Sequence, residues 1–375
     1  MSKIFDCNDI ARGSGFWGRE DEVKRLSSNF VFLTNTMLLA PQGWGKTSLI
    51  HRAAEMALHK EKSLRFCYFS LSNVRNEERF YELLVQSVLK AVSVCQEDVV
   101  ENVRKYFPNI CPRVTFTAGP VFEFSVDFDW EDIRHNQDEL LNIPCIIAKD
   151  KDVKLVVCVD DIHAVSLFDD PESFLERVRG RWSRHDGVSY CVSGAMLSVV
   201  EKFVKNTPMF YRYGDVIRLG KIRRSDMIKG LRESFADSAK YLDNETAAMI
   251  VDMAEGYPFH IMQLANAVWS YSSVVCSQDV VKGAYETILD QMKLVFENYT
   301  AALTTQQLCY LHAVLAGETV ISTSEVLHRH HITSATSASR SKTALLERGV
   351  ICNVDGKICF ADPTYANWLK SRYFR

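Results

Sequence analysis

Residues 40 to 48 read Ala-Pro-Gln-Gly-Trp-Gly-Lys-Thr-Ser and follow an apolar stretch ending Met37-Leu38-Leu39. Glycines let backbone N–H groups turn inward around phosphate oxygens, the N-terminus of a following helix adds positive potential, and Lys46 supplies a mobile point charge. The Thr47 hydroxyl suits Mg²⁺ held beside those phosphates. The pattern G-x-x-x-x-G-K-[ST] is met except at its first position, where Ala40 replaces glycine. A strand running into this loop, with Thr47-Ser48-Leu49-Ile50 opening a helix, predicts a nucleotide site built from Pro41, Gln42, Gly43, Trp44, Gly45, Lys46, Thr47 and Ser48. A second chemical feature is Lys154-Leu155-Val156-Val157-Cys158-Val159-Asp160-Asp161. An apolar run ending in two carboxylates reads as a core strand whose C-terminal tip enters the active-site crevice.

The elements that must position these residues follow from periodicity. Strand, loop and helix to about residue 59 are succeeded by a strand near 65–71 and a long helix through residue 95 carrying Phe80, Leu83, Leu84, Val88 and Leu89. This β-α-β order predicts an α/β fold with a parallel sheet and helices on its faces. Residues 113–130 break the pattern. Phe122, Phe124, Val126, Phe128 and Trp130 alternate with Glu123, Ser125, Asp127 and Asp129, the period of a strand with one apolar and one acidic face. With a turn at Ala118-Gly119-Pro120 it reads as an inserted β-hairpin. The hairpin serves either as a partner-binding finger or, the reading preferred here, as a cover for the sheet edge. Helices near 131–149 and 171–184, a strand from Val188 to Val192 ending in Ser193-Gly194, a helix to about Val204, and a strand from Asp215 to Leu219 complete the core.

Strand signals stop after residue 222. Ser225 and Asp243 are candidate helix caps, and helical patterns run to about Leu303, giving an all-α second unit. Thr304 and Gln307 form a capping box for a third. Its helices to Leu315, near Ser324–Arg329 and from about Ala338 to Arg348 precede a hairpin turning at Asn353–Gly356, the order of a winged helix. The expected organisation is an N-terminal lead-in (1–14), a P-loop ATPase core (15–222, hairpin insert about 113–130), a helical lid (223–300) and a winged-helix domain (301–375).

Composition narrows the class. The 375 residues suffice for two or three cores, and 47% apolar with 24% charged residues is ordinary for a globular chain. A net charge of −3 gives no global attraction to nucleic acid or membrane. No apolar run approaches the ~20 residues of a membrane helix, and the eleven cysteines show no C-x-x-C spacing, so reduced core cysteines are expected rather than disulfides or zinc. The expectation is a soluble, cytoplasmic protein.

These features together resemble the AAA+/STAND-type P-loop ATPases, specifically the predicted archaeal-type ATPase family with a C-terminal winged helix. The resemblance rests on Phe16-Trp17-Gly18-Arg19-Glu20, the Ala-Pro-x-x-x-Gly-Lys-Thr-Ser loop, the strand ending Asp160-Asp161, Pro208 to Tyr211, Gly256-x-Pro258, and Asp362-Pro363 followed by Trp368-Leu369. It implies ATP and Mg²⁺ as cofactors. Phe16 and Trp17 would pack near adenine, Asp160 would hold Mg²⁺ with Thr47, and the lid would meet the nucleotide at Pro258. Ser193 matches the sensor-1 position and Arg212 the arginine-finger position, with Arg179, Arg181 and Arg184 as rivals. Asp161 stands where the family usually carries the glutamate that orients attacking water. Aspartate is one methylene shorter, so slow turnover is expected, suited to a switch.

Residues 301–375 carry eight Lys or Arg against five acids, and the candidate recognition helix shows Ser339, Arg340, Ser341, Lys342 and Thr343. Such a surface can meet duplex DNA or a protein. Three functions therefore compete: a self-associating or protein-controlled ATP switch, a DNA-acting ATPase of the loader, initiator or transposition-helper kind, and an ATP-bound scaffold without significant hydrolysis.

Overall fold

The computed structural model describes residues 5, 10–108, 110, 112–117, 122–194, 214–354 and 356–375. Helix α1 (Glu20–Val31) leads into strand β1 (Thr36–Leu39), the phosphate loop and helix α2 (Lys46–Lys60). Strand β2 (Leu64–Ser70) and helices α3 (Glu77–Val92) and α4 (Gln96–Tyr106) follow, α4 being a helix the sequence pattern had not disclosed. Next come the hairpin β3 (Arg113–Thr117) and β4 (Glu123–Asp127), then α5 (Trp130–Lys151), β5 (Lys154–Asp160), α6 (Pro171–Trp182), β6 (Val188–Gly194) and β7 (Asp215–Arg218).

Five of these strands form one parallel sheet in the order β2-β5-β6-β1-β7. Alternation along β5 divides the core. Leu155, Val157 and Val159 pack with Leu84, Val88 and Phe174 on one face; Val156 and Cys158 pack with Leu49, Ala53 and Leu26 on the other. Both faces are covered by helices, which explains the unbroken apolar run read in the sequence. Strand β6 lies between β1 and β5, so the ends of three adjacent strands converge on one crevice.

Among the described residues, the hairpin β3–β4 pairs only with itself. Phe124 and Val126 are buried while Glu123 and Asp127 are exposed, as period two requires. The preferred expectation of a cover for the sheet edge is corrected: the Gln86 amide of α3 donates to Phe124 O at 2.6 Å, and the hairpin lies on that helix. Its turn at 118–120 lies outside the described residues, as do the helix expected to Val204, Pro208 to Tyr211, and Arg212.

Beyond residue 222 the chain is mainly helical: α7 (Arg224–Asp237), the short strand β8 (Tyr241–Leu242), α8 (Asn244–Met253), α9 (Pro258–Tyr271), its partner strand β9 (Val275–Cys276), α10 (Gln278–Gln291) and α11 (Lys293–Ala301). Then follow α12 (Thr305–Leu315), α13 (Ser324–Arg329), α14 (Ala335–Glu347) and the antiparallel hairpin β10 (Ile351–Val354) and β11 (Lys357–Phe360). Asp243 caps α8 by accepting from Thr246 N, and Thr304 and Gln307 form the expected capping box. Ser225 is not a cap. Helix α7 begins at Arg224 and its first turn is fastened by ion pairs Arg223–Asp226 and Arg224–Asp252. Helix α14 starts three residues before its expected start, because the Ser334 side chain accepts from Ser337 N. Apolar side chains before and after residue 300 pack in one continuous cluster, from Met227 through Tyr310 to Leu369. Phe5 joins it, with its ring 4.8 Å from that of Phe235.

Candidate functional site

The phosphate loop takes its shape from two glycines. Gly43 (φ 76°) and Gly45 (φ 81°) lie in the left-handed region, which costs other residues ~1–2 kcal/mol. Gly45 immediately precedes α2, so the free N–H groups of that helix open onto the loop. Buried Lys46 reaches back, its Nζ donating to Ala40 O at 3.0 Å and Pro41 O at 3.1 Å. Burial lowers the Lys46 pKa, and the charges of Asp160 and Asp161 work in the opposite direction. Ser48 Oγ accepts from Ala11 N at 3.0 Å, tying residues 10–12 to the loop.

Asp160 ends β5 and is buried among donors. Thr47 Oγ1 donates to its Oδ2 at 2.6 Å, Tyr68 OH donates to the same oxygen at 3.0 Å, Ser193 Oγ donates to Oδ1, and Asp161 N donates to Oδ1 at 2.9 Å. The Thr47–Asp160 contact brings together the two residues expected to serve a metal. Asp161 has φ 57°, and its Oδ2 accepts from Ser70 Oγ at 2.9 Å. Burial and the Asp160 charge raise the Tyr68 pKa, so Tyr68 remains a donor.

These groups border a cavity of about 360 Å³ whose other walls come from distant parts of the chain. Phe16 and Trp17 enter from before α1, Ile222 and Met227 from the start of the helical region, and Pro258 and Met262 from α9. Arg19 ties the edges together. Its buried guanidinium donates to Trp44 O at 3.2 Å and Gly220 O at 3.0 Å, and burial lowers its pKa against the raising effect of Glu22. The α9 end touches the loop directly, Phe259 N donating to Gly43 O at 3.3 Å. One wall is polar and cationic, the other apolar and aromatic. That donor set and shape fit a phosphate chain with a divalent cation at one end and a flat heterocycle at the other.

Trp17 lies flat against the backbone of α7 at Gly230, where a Cβ would come 2.3 Å from the indole Cγ. Glycine to alanine in a helix ordinarily stabilises by about 1 kcal/mol. Here Gly230→Ala is expected to do the reverse, lowering the melting temperature and weakening about tenfold the binding of a phosphate-bearing heterocycle by displacing Trp17 from the wall. Calorimetric titration beside a thermal melt checks this; unchanged values in both would show that the contact is slack.

Of the residues expected at the site, Phe16, Trp17, Gln42, Gly43, Trp44, Gly45, Lys46, Thr47, Ser48, Asp160, Asp161 and Pro258 line the cavity. Pro41 contributes its carbonyl to Lys46, and Ser193 sits behind Asp160 rather than on the wall. Arg212 lies outside the described residues, and its rival Arg181 is paired with Asp138. His260 faces Thr364 and Asp362 rather than the cavity. The sequence reading missed Ala11, Arg19, Tyr68, Ser70, Met227 and Met262. Only two of these carried a signal: Arg19 belongs to the quoted Phe-Trp-Gly-Arg-Glu run, and Tyr68 shares a strand face with Phe66 and Ser70.

No protein-family model matches the chain, and no curated protein matches it in sequence. Solved structures do. The Walker-type ATPase PABY2304 of Pyrococcus abyssi superposes with a TM-score of 0.63 at 13% identity, over 98% of this chain and 99% of that one. The Aeropyrum pernix ORC2 protein in its ADP form gives 0.60 at 13% identity, over 98% and 97%. The Aeropyrum pernix ORC1 protein in complex with DNA gives 0.53 at 13% identity, over 100% and 97%. The chain has the fold that these three proteins share.

Proposed function

We propose that this protein is an ATP-binding, slowly hydrolysing molecular switch whose nucleotide state is passed to a partner surface on its C-terminal helices and hairpin. The observation that carries the reading is the meeting of Lys46, Thr47, Asp160 and Asp161 at the rim of a cavity walled on its far side by residues 222–262. Lys46 and the α2 N-terminus would hold the phosphates, and Thr47 and Asp160 would hold Mg²⁺, which when bound supplies charge neutralisation at those phosphates. Asp161 would orient the attacking water, Ser193 would fix Asp160, and Arg212 is retained as the candidate finger. Phe16, Trp17, Met227 and Met262 would grip the base.

The ADP-bound ORC2 and the Walker-type ATPase among its structural neighbours support nucleotide binding. Coupling to the C-terminal unit is supported by Tyr257, whose ring packs edge-on to Trp44 of the loop while its hydroxyl donates to Phe360 O of β11 at 2.8 Å. A nucleotide that shifts the loop or α9 therefore acts on the hairpin. Helices α12–α14 with the hairpin form, in this reading, a winged helix.

A second reading, a DNA-acting ATPase, has one observation in its favour: ORC1 superposes as its DNA complex. On α14 Ser339, Arg340 and Thr343 are exposed, but Ser341 is buried and Lys342 half-buried, which leaves a narrower basic face than the sequence suggested. The deciding experiment is ATP turnover by the purified chain with and without duplex DNA at low salt. Turnover raised severalfold by DNA would favour the second reading, and turnover indifferent to DNA but dependent on protein concentration the first. Tight ATP retention without turnover in any assembly state would leave a scaffold.

A further inference from the structure

Two thiols face each other across the C-terminal hairpin. Cys352 and Cys359 are direct partners in the β10–β11 register, and their Sγ atoms are 3.5 Å apart. Opposed residues of antiparallel strands hold their Cα atoms ~4.5–5.5 Å apart, inside the ~4.4–6.8 Å that a disulfide accepts. The register thus sets the two backbones within disulfide range. Cys352 is buried and Cys359 half-buried, which places the pair at the margin of the core. Cys67, Cys158 and Cys191 differ, being sealed within the sheet core.

The pair is also wired to the phosphate loop. The Tyr257 hydroxyl lies 3.7 Å from Cys359 Sγ and 4.0 Å from Cys352 Sγ while donating to Phe360 O. Its ring centroid is 5.5 Å from that of fully buried Trp44, and Lys221 Nζ stands 5.0 Å from the same ring. Hydrogen bonds from Cys352 and Tyr257, with the Lys221 charge, hold the Cys359 thiol down to about 6, whereas its hydrogen bond to Cys359 and burial push Cys352 up. A half-exposed thiolate beside a second thiol is the arrangement that disulfide exchange needs.

We propose that Cys352 and Cys359 form a reversible dithiol–disulfide site, oxidised by low-molecular-weight disulfides, whose closure weakens nucleotide binding through Tyr257 and Trp44. The Cys359 thiolate attacks one sulfur of the small disulfide, forming a mixed disulfide and expelling one thiolate. Cys352, giving its proton to solvent, then attacks Cys359 Sγ, forms the internal bond and expels the second small thiol-bearing half. Two cysteine thiols are oxidised and one small disulfide is reduced to two thiols. Closure draws the sulfurs from 3.5 Å to ~2.05 Å. It also removes the charge at Cys359 and moves its sulfur, 3.7 Å from the Tyr257 hydroxyl, which disturbs the hydroxyl's bond to Phe360 O. The thiol chemistry stands alone; its effect on the cavity rests on the proposed ATP site.

The test uses the full chain equilibrated in reduced and oxidised glutathione, alkylated, cut with trypsin and weighed. Cleavage after Arg348, Lys357 and Lys370 would leave residues 349–357 joined to 358–370, separable by reduction. In parallel, ATP affinity is measured on the reduced and oxidised forms of the wild type, Cys352→Ser, Cys359→Ser and Tyr257→Phe. The expected result is the joined peptide pair, with ATP binding about three- to tenfold weaker when oxidised, the size of one lost hydrogen bond. Cys359→Ser should not respond to oxidation, Cys352→Ser should stop at a glutathione adduct on Cys359, and Tyr257→Phe should blunt the response. A stable glutathione adduct on Cys359 without the internal bond, or no oxidation, would overturn the site. Equal ATP affinity in both forms of the wild type would overturn the coupling. A reduced protein that binds no ATP would refute the nucleotide reading and the coupling together, while the peptide result would still decide the dithiol.

Discussion

Lys46→Ala should weaken ATP binding by at least about a hundredfold and leave the fold in place. The ammonium is the only side-chain cation expected on the phosphates from the loop itself, and a charge-assisted contact in a buried site is worth roughly 1.5–3 kcal/mol, near the ~2.7 kcal/mol that a hundredfold represents. Two effects on stability oppose one another. The variant frees Ala40 O and Pro41 O from their donor, which costs, and removes a charge that burial disfavours, which gains. The net change in urea unfolding should stay within about 2 kcal/mol. The lowered Lys46 pKa adds a signed check. Between its folded value and the unfolded value of about 10.4 the unfolded chain binds more protons, so wild-type stability rises with pH through that window and the variant lacks the increment. Titration calorimetry with ATP and Mg²⁺ reads the main effect. Affinity equal to wild type would sink the nucleotide site altogether.

The parts of this site that could be read from sequence are those whose cause is local. The loop is legible because two left-handed glycines, a lysine and a hydroxyl must stand within a few residues of each other. The β5 run is legible because a strand covered on both faces cannot alternate. Capping at Asp243 and Thr304 is written within four residues. Failures came where partners are remote or a local signal was outcompeted. The Arg19 bond to Gly220 spans 201 positions and the Tyr257 bond to Phe360 spans 103, and no periodicity encodes either. Ser225 lost its capping role to ion pairs that hold the α7 turn from Asp226 and Asp252. Helix α4 went unseen because its N-cap, Cys95, makes no side-chain cap bond and its buried face is only Val99 and Asn102.

Asp161→Asn should retain ATP within about threefold while reducing turnover by at least about a hundredfold, the lower end of what a positioned base contributes. The substitution is structurally mild. Asp161 has φ 57°, a region that Asn and Asp enter more readily than other side chains, and an amide oxygen can still accept from Ser70 Oγ. What it loses is the carboxylate proposed to orient the attacking water. The same φ gives a physical reason for aspartate here in place of glutamate: the short carboxylate accepts locally from Ser70 Oγ, while the backbone N–H donates to Asp160 Oδ1. The cost is reach, and a misplacement of ~1 Å can reduce a rate ~100-fold. Asp161→Glu therefore should speed turnover while destabilising the fold by about 1 kcal/mol. Steady-state hydrolysis by wild type and both variants decides the matter. Tens of turnovers per second by the wild type alone, or a glutamate variant slower than wild type, would show that reach at this position does not limit the reaction.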